Sequence, residues 1–174
     1  MTGASATANT SVSATKTARK RQLVTFEVAG ERFAADIFVV ERVLRYTPPR
    51  TLPNVAGWLR GVIEHAGTVV PVIDLRERLG FDLAPVPEGA RTLVIEGPDG
   101  RVGVIVDAVH AVRAVDATAI EAPPPIYRGL AKDYLEGIVR EGDVLLVVLA
   151  TAKLLTSTER LEMARAIAQG AASG

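Results

Sequence analysis

The fold is decided by residues 61–80, GVIEHAGTVVPVIDLRERLG, which combine two apolar segments, a glycine turn and a helix start. Val69–Ile73 form a continuous apolar run after the turn at Ala66-Gly67, so a strand there carries apolar side chains on both faces. A small barrel has a single interior, and leaving a valine-sized side chain in water forgoes about 1.5–3 kcal/mol. We therefore expect another part of the chain, or another protein, to cover the second face of this strand.

The composition is that of a folded, β-rich protein. The 174 residues are 48% hydrophobic, which suits one domain or two small barrels that share a border. Aromatic residues make up only 5%, and basic and acidic residues are equal at 20 each, so a ring-stacking or phosphate-binding surface for nucleic acid is not expected. With no cysteine, disulfides, thiolate metal sites and cysteine nucleophiles are excluded, which is compatible with the reducing cytoplasm.

The two ends of the chain differ from its middle. Residues 1–21 are rich in Ser, Thr and Ala, lack acidic residues and end in a basic cluster, which predicts a disordered basic tail rather than a signal or transit peptide. Residues 22–156 form the expected domain, and residues 157–174 a C-terminal helix and frayed tail. The longest apolar run, Val144–Ala150, is far short of the roughly 20 residues that cross a bilayer, so no membrane span is expected.

Turn residues recur throughout the middle at the short spacing typical of an all-β barrel or sandwich. Val24–Val28 and Arg32–Ile37 flank a glycine turn, and Thr92–Glu96 and Arg101–Val106 flank another, so each pair predicts a hairpin. The proline-containing segment 81–90 separates these regions. The sequence therefore predicts a mainly β fold of two small barrel lobes packed side by side, with their border near residues 81–90.

Two helices are expected beside the strands. Asp74 precedes a short charged segment that closes at Gly80, which predicts one helical turn with an acidic N-cap. Thr156–Glu159 reads as a capping box, and Leu161, Met163 and Ile167 follow at helical spacing. We expect a terminal helix from this point, frayed past residue 170.

No residue pattern indicates catalysis or a cofactor. His65 and His110 fall in different lobes, and neither has a second histidine at metal-ligand spacing. The chain contains no Gly-x-Ser-x-Gly elbow and no phosphate-binding loop. Trp58 is expected to plug the lobe-to-lobe contact, and Pro123–Pro125 to be a connector. We therefore predict no enzyme activity, no metal and no cofactor.

Several ordered blocks resemble the CheW-like domain family from about Gln22 to Thr156. The family pattern is a hydrophobic hairpin, a Val-x-Glu-Val step, a proline, a Gly-Val-Ile-Asn-Leu-Arg-Gly turn, and then Pro-Val-Ile-Asp-Leu-Arg. A Val-Asp-x-Val step and a closing strand with a Leu-Leu helix follow in the second half. The matching residues are Val40–Val43, Pro53, Gly61–Gly67, Pro71–Arg76, Val104–Val109 and Val147–Leu155.

The resemblance implies two SH3-like β-barrels without a catalytic site. It implies that one barrel face binds the regulatory domain of a CheA-type histidine kinase and that a groove between the barrels takes the helical tip of a chemoreceptor. The protein would act in the cytoplasm, at the inner face of the membrane through receptor arrays, without inserting into the membrane. The implied receptor or kinase interface comprises Val40, Arg42, Val43, Gly61, Ala66, Gly67, Val69, Val70, Pro71, Asp74, Arg76, Val106, Asp107 and Val109.

Three positions depart from the family pattern. Arg42 stands where the family usually has glutamate, which reverses the charge near the implied interface. Ala66 replaces the arginine of the turn, which removes a bidentate donor. Ala150 replaces the usual Asp or Asn and leaves the following helix start without a capping side chain. These changes suggest a divergent adaptor, or one that serves a pathway other than swimming.

Two other classes of function compete with an adaptor. Small barrels also bind ligands or nucleic acid, but the basic stripe and exposed aromatic residues that such binding requires are missing from the sequence. An enzyme ranks third, because distant residues can assemble a site that no local motif reveals.

Overall fold

The structure is a computed structural model that describes residue 3 and residues 19–125 and 133–172, with side chains described up to Gln169. The described part holds ten β-strands and two α-helices. The strands are β1 (Lys20–Val28), β2 (Glu31–Asp36), β3 (Val40–Arg45), β4 (Leu59–His65), β5 (Thr68–Asp74), β6 (Arg91–Gly97), β7 (Gly100–Val106), β8 (Ala108–Asp116), β9 (Leu135–Glu141) and β10 (Val144–Leu149). The helices are α1 (Leu75–Arg78) and α2 (Ser157–Ala172), with short 3-10 turns at Ala117–Ala119 and Thr151–Lys153.

The strands form two five-stranded sheets. Sheet A has the order β8-β1-β2-β10-β9, and sheet B has the order β3-β6-β7-β5-β4. We call the unit around sheet A lobe A, and the unit around sheet B together with α1 lobe B. The pairing is antiparallel except for β2 with β10 and β5 with β7, which are parallel. The predicted mainly β fold of two lobes with short helices and a C-terminal helix is confirmed.

The predicted border between the lobes is wrong. Residues 81–90 connect α1 to β6, and the strands on both sides of this segment, β5 and β6, lie in sheet B. Lobe A is instead assembled from both ends of the domain, since β1, β2 and β8 join β9 and β10 in one sheet. The pairing of Val147 with Phe33 joins β10 to β2 in the middle of this sheet. These residues are far apart in the chain, so no local sequence pattern predicts the pairing.

A single apolar core joins the two lobes. Phe26 and Phe33 stack in lobe A with ring centroids 6.1 Å apart, and they share one cluster of buried residues with Ile73 and Val104 of lobe B. A separate cluster inside lobe A contains Leu23 and its neighbours. Because side chains alternate along a strand, β1 serves both the lobe interior and the contact between lobes.

Both predicted helix starts are confirmed. Asp74 Oδ1 accepts a hydrogen bond from the backbone N–H of Arg76 at 2.9 Å. In the capping box, Thr156 N donates to Glu159 Oε2 at 2.8 Å and Glu159 N donates to Thr156 Oγ1 at 3.2 Å. Helix α2 continues to Ala172, past the residue where fraying was expected.

The apolar face of α2 is narrower than the sequence suggests. Met163 is buried, and Ile167, one turn later, packs against the core that joins the lobes. Leu161 points elsewhere and is 61% exposed.

The N-terminal tail ends earlier than predicted. Lys20 and Arg21 are the first residues of β1, and Arg21 pairs with Asp36 at 3.1 Å and with Glu136. These contacts attach the basic cluster to lobe A. The rest of the predicted tail, apart from residues 3 and 19, lies outside the described residues.

Candidate partner-binding surface

The β4–β5 hairpin is closed by the two-residue turn Ala66-Gly67. Both residues have positive φ, +50° and +76°, as a type I′ turn requires. The left-handed conformation costs a non-glycine residue about 1–2 kcal/mol, so the alanine stores strain. Thr68 Oγ1 donates to the carbonyl of His65 at 2.8 Å beside the turn. The turn itself is exposed to solvent.

Strand β5 is covered on both faces by its own chain along most of its length. Val70 and Val72 are 1% exposed on one face, and on the other face Pro71 is buried while Ile73 joins the core between the lobes. The chain itself, and not a partner protein, covers the second face of this strand over most of its length. An apolar seam open to a partner along the whole strand is therefore not present. Only Val69, at 39% exposure, remains accessible on the outer face.

The fourteen residues expected at the interface fall into three groups by exposure. Those exposed are Arg42, Val43, Ala66, Gly67 and Val69. Those partly buried are Val40, Arg76, Asp107 and Val109. Those buried are Gly61, Val70, Pro71, Asp74 and Val106, which the structure therefore removes from any direct contact surface of this conformation.

The buried members have structural roles instead. Asp74 caps α1, and Val106 is fully buried in the core between the lobes. Gly61 has φ of +142°, and a Cβ added there would overlap the backbone carbonyl of Arg50 on the neighbouring segment. Only glycine fits at this close approach.

The exposed members belong to β3 and to the β4–β5 hairpin of lobe B, and an arginine of β7 that sequence reasoning missed connects these two elements. Arg101 Nε lies 2.7 Å from Glu41 Oε2 on β3, and Arg101 Nη1 donates to Thr68 Oγ1 beside the β4–β5 turn at 3.0 Å. This row crosses the sheet from its β3 edge to β5. We call the exposed residues Arg42, Val43, Ala66, Gly67 and Val69 the β3–β5 surface. No sequence signal distinguished Arg101 from an ordinary strand residue, because its partners are distant in the chain.

The departures from the family pattern have clear structural settings. Arg42 is exposed and makes no ion pair with any residue that the structure describes, so its charge is available to a partner. Ala66 occupies the exposed tip of the turn. Ala150 begins the 3-10 turn at Thr151–Lys153 without a side-chain hydrogen bond, as its methyl group predicts.

A second arginine cluster, also missed from the sequence, surrounds Arg78 of α1. Its Nη1 donates to Glu159 Oε1 at 2.8 Å and to the Tyr134 hydroxyl at 3.4 Å. The guanidinium lies 5.4 Å from the ring centroid of Trp58 and 5.9 Å from that of Tyr134, within cation–π range. Trp58 also packs against the core shared by the lobes, which agrees with its expected place as a plug.

Electrostatics favours the charged forms of this pair. Burial raises the pKa of Glu159, but hydrogen bonds from Arg78 and from the backbone of Thr156 outweigh burial and hold that pKa below its ordinary value. Burial likewise lowers the pKa of Arg78, and its hydrogen bonds to Glu159 and Tyr134 raise the pKa above its ordinary value. Arg78 and Glu159 therefore form a charged link between lobe B and the C-terminal helix.

The histidines show no arrangement for metal binding. His65 is partly buried at the end of β4, and His110 Nε2 lies 3.3 Å from Glu27 Oε2 on the surface of lobe A. Across residues 19–125 and 133–172, no group of three or more His, Cys, Asp or Glu side chains is placed to hold a metal ion. None of the helices in this part of the chain has the length and apolar character needed to span a membrane.

The two-lobed fold, with β3 at the edge of sheet B and Val43 exposed on it, has the features of a protein-interaction module. A family model described as "CheW-like domain" matches residues 22–159. The chain belongs to this family.

Named relatives support the same conclusion. The chain is 29% identical to a "Chemotaxis protein CheW" of Treponema pallidum (strain Nichols), over 82% of this chain and 86% of the relative. It is 33% identical to a "Chemotaxis protein CheW" of Bacillus subtilis (strain 168), over 74% of this chain and 82% of the relative. A crystal structure of the scaffolding protein TtCheW from Thermoanaerobacter tengcongensis aligns with a TM-score of 0.74 and 29% identity, covering 81% of this chain and 97% of that chain.

These findings support a chemotaxis coupling adaptor and do not favour the alternative of a ligand- or nucleic-acid-binding barrel. The relatives are named chemotaxis or scaffolding proteins, which is consistent with a role other than catalysis.

Proposed function

We propose that the protein is a non-catalytic adaptor that couples chemoreceptors to a CheA-type histidine kinase in a cytoplasmic signalling array at the inner face of the membrane. The observation that carries the proposal is the family match over residues 22–159, together with the two-lobed fold. One lobe face would bind the regulatory domain of the kinase, and the groove between the lobes would hold the helical tip of the receptor. No step of this function requires a metal or a cofactor.

The β3–β5 surface is the part of lobe B best suited to hold a partner. Strand β3 lies at the edge of sheet B, and among the described strands none pairs with its outer side, so that side can accept a strand of another protein. Val43 on this edge is 44% exposed and Val69 is 39% exposed, which gives the surface an apolar component. Edge pairing supplies affinity, and the neighbouring side chains supply specificity.

Charge at Arg42 would select the partner. A cation that lacks an ion pair within the described chain gains most from an acidic residue on the facing protein, and a basic residue there would repel it. The resemblance implies that other family members usually present a glutamate at this position. We infer that the kinase or receptor bound by this protein carries the opposite charge from the usual partner, as expected for a divergent copy.

The direct test is the affinity of the purified protein for the regulatory domain of the CheA-type kinase encoded in the same genome. We expect the parent protein to bind, and Arg42→Glu to weaken binding about tenfold, which corresponds to about 1.4 kcal/mol. Ala66→Arg, which restores the family residue at the exposed turn, tests whether that arginine adds a contact. Ala114→Glu is the matched control, because Ala114 is exposed on β8 in the other lobe. If no form binds the kinase domain or a chemoreceptor tip from that genome, the adaptor function is refuted.

A further inference from the structure

The one-turn helix α1 lies in lobe B but sends its two arginines to other parts of the molecule. Arg76 Nη2 donates to Asp107 Oδ2 at 2.6 Å, and both side chains are only 12% exposed. The same Asp107 oxygen accepts the backbone N–H of Ala29 at 2.8 Å. Ala29 belongs to the β1–β2 turn of lobe A, and Asp107 lies where the chain passes from β7 in lobe B to β8 in lobe A. One carboxylate therefore ties an arginine of lobe B to the backbone of lobe A.

Arg78 makes the second connection on the opposite side of the helical turn. Residues two apart on a helix project about 200° from each other. Arg78 reaches Tyr134, the residue before β9 of lobe A, and Glu159 of α2. Its side chain is 11% exposed, so these bonds are shielded from water. Helix α1 is thus held from two sides.

The apolar core between the lobes holds them together, but it sets their relative angle less sharply than directional bonds do. Burial of apolar surface is non-directional, so it stabilises contact between the lobes over a range of orientations. Charge-assisted hydrogen bonds are short and directional, so the bond from Arg76 Nη2 to Asp107 Oδ2 favours one orientation of the lobes over others. Phe81, three residues after the end of α1, adds an edge-on ring contact to Phe33 of lobe A with the ring centroids 6.3 Å apart, which extends the same junction.

We propose that α1 is an interlobe clip in which Arg76 and Arg78 are positioning residues that set the angle between the lobes. Arg76 and Asp107 come from the two sequence blocks expected to face a partner, and in this structure they contact each other instead. A groove formed by both lobes depends on the angle between them, whereas a surface within one lobe does not. The expected effect on partner binding rests on the proposed function, whereas the expected effect on the lobe angle does not.

The lobe angle can be measured directly because the chain contains no cysteine. Spin labels attached at Ala114→Cys in lobe A and Arg45→Cys in lobe B, both exposed, report an interlobe distance distribution by pulsed electron resonance. We expect Arg76→Ala to broaden this distribution at least twofold. Arg101→Ala is the matched control, because it removes an ion pair within lobe B and leaves the distribution unchanged.

Two further variants keep the test decisive. Arg76→Lys retains the charge on a more flexible side chain, so we expect a width between those of the parent and the alanine variant. Asp107→Asn retains an acceptor for Ala29 and removes the charge, and it replaces Arg76→Ala if that variant fails to melt cooperatively. A cooperatively folded Arg76→Ala or Asp107→Asn protein with the parental distance distribution would overturn the proposal.

Binding measurements distinguish a positioning role from a purely structural one. A residue that only stabilises the fold would not weaken binding to one partner and spare the other. We expect folded Arg76→Ala to bind a chemoreceptor tip at least fivefold more weakly than the parent, while its affinity for the kinase regulatory domain stays within twofold. An equal loss for both partners would overturn the groove argument. A parent protein that binds neither would refute the proposed adaptor function, and the distance measurements would still decide whether the clip exists.

Discussion

The bond between Arg78 and Glu159 gives the sharpest prediction about stability. Glu159→Gln keeps the shape of the side chain and the capping box, because glutamine also fills that role. The substitution removes the charge that faces Arg78 at 2.8 Å, and the side chains of the pair are 11% and 17% exposed. Loss of a charge-assisted hydrogen bond at such a site costs about 1.5–3 kcal/mol, and loss of a negative charge from the first turn of α2 adds about 0.3–1 kcal/mol. We therefore expect a loss of about 2–4 kcal/mol at pH 7.

Acid should remove this difference. The pKa of Glu159 is held below its ordinary value of 4.5 in the folded protein, so the stability that its charge contributes is fully present above that value. The contribution is lost as the pH falls through the lower pKa of the folded state. Below that pKa, parent and variant both carry an uncharged side chain, and their unfolding free energies converge.

Urea unfolding monitored by the fluorescence of Trp58 measures the effect. This is the only tryptophan, and its ring lies 5.4 Å from the guanidinium of Arg78, so its emission reports on the same cluster. Glu162→Gln is the matched control on the same helix, because Glu162 is exposed, and we expect a change of about 0.5 kcal/mol or less. If Glu159→Gln behaves like this control at pH 7, or if its deficit is unchanged in acid, the argument about the pair is wrong.

Three further predictions concern lobe B and are checked by the same unfolding assay. Gly61→Ala should cost about 2–4 kcal/mol, because its positive φ and the close backbone leave no room for a methyl group, while Gly57→Ala, with open space, should change stability by about 0.5 kcal/mol or less. Ile73→Ala should cost about 2–5 kcal/mol and Val69→Ala clearly less, because the two residues are 1% and 39% exposed, and equal losses would contradict the burial of this strand face. Ala66→Asn should gain about 0.5–1 kcal/mol by relieving the left-handed alanine, and a loss would show that the turn is not strained.

Local features were predictable because each depends on neighbouring residues. The β4–β5 hairpin follows from Ala66-Gly67 between apolar runs, and the helix starts follow from Asp74 and from Thr156 with Glu159. The resemblance of ordered blocks pointed to the family that the comparisons confirm. These features can be recognised from the sequence because the hydrogen bonds of a turn or a helix cap form between residues only a few positions apart.

The partner-binding residues were harder to assign. Sequence position alone could not separate residues that present a side chain to solvent, such as Arg42, from those that bind within the chain, such as Arg76 and Asp107. In the sequence, a motif that joins two lobes cannot be distinguished from a motif that binds a partner. Both place polar residues at the ends of strands. The exposure of each side chain, which only the packed structure fixes, distinguishes them.

The sequence by itself determined the β-rich class, the hairpins, the helix caps and the family. Tertiary structure alone decided that lobe A is built from both ends of the domain, through the parallel pairing of Val147 with Phe33. It also decided that the outer face of β5 is covered from within, apart from Val69. The physical reason is the separation along the chain of the residues that interact. Turns and helix caps are formed by residues close together in the sequence. Strand pairing between distant segments, lobe packing and ion pairs such as that of Arg78 with Glu159 depend on residues that meet only after the chain has folded.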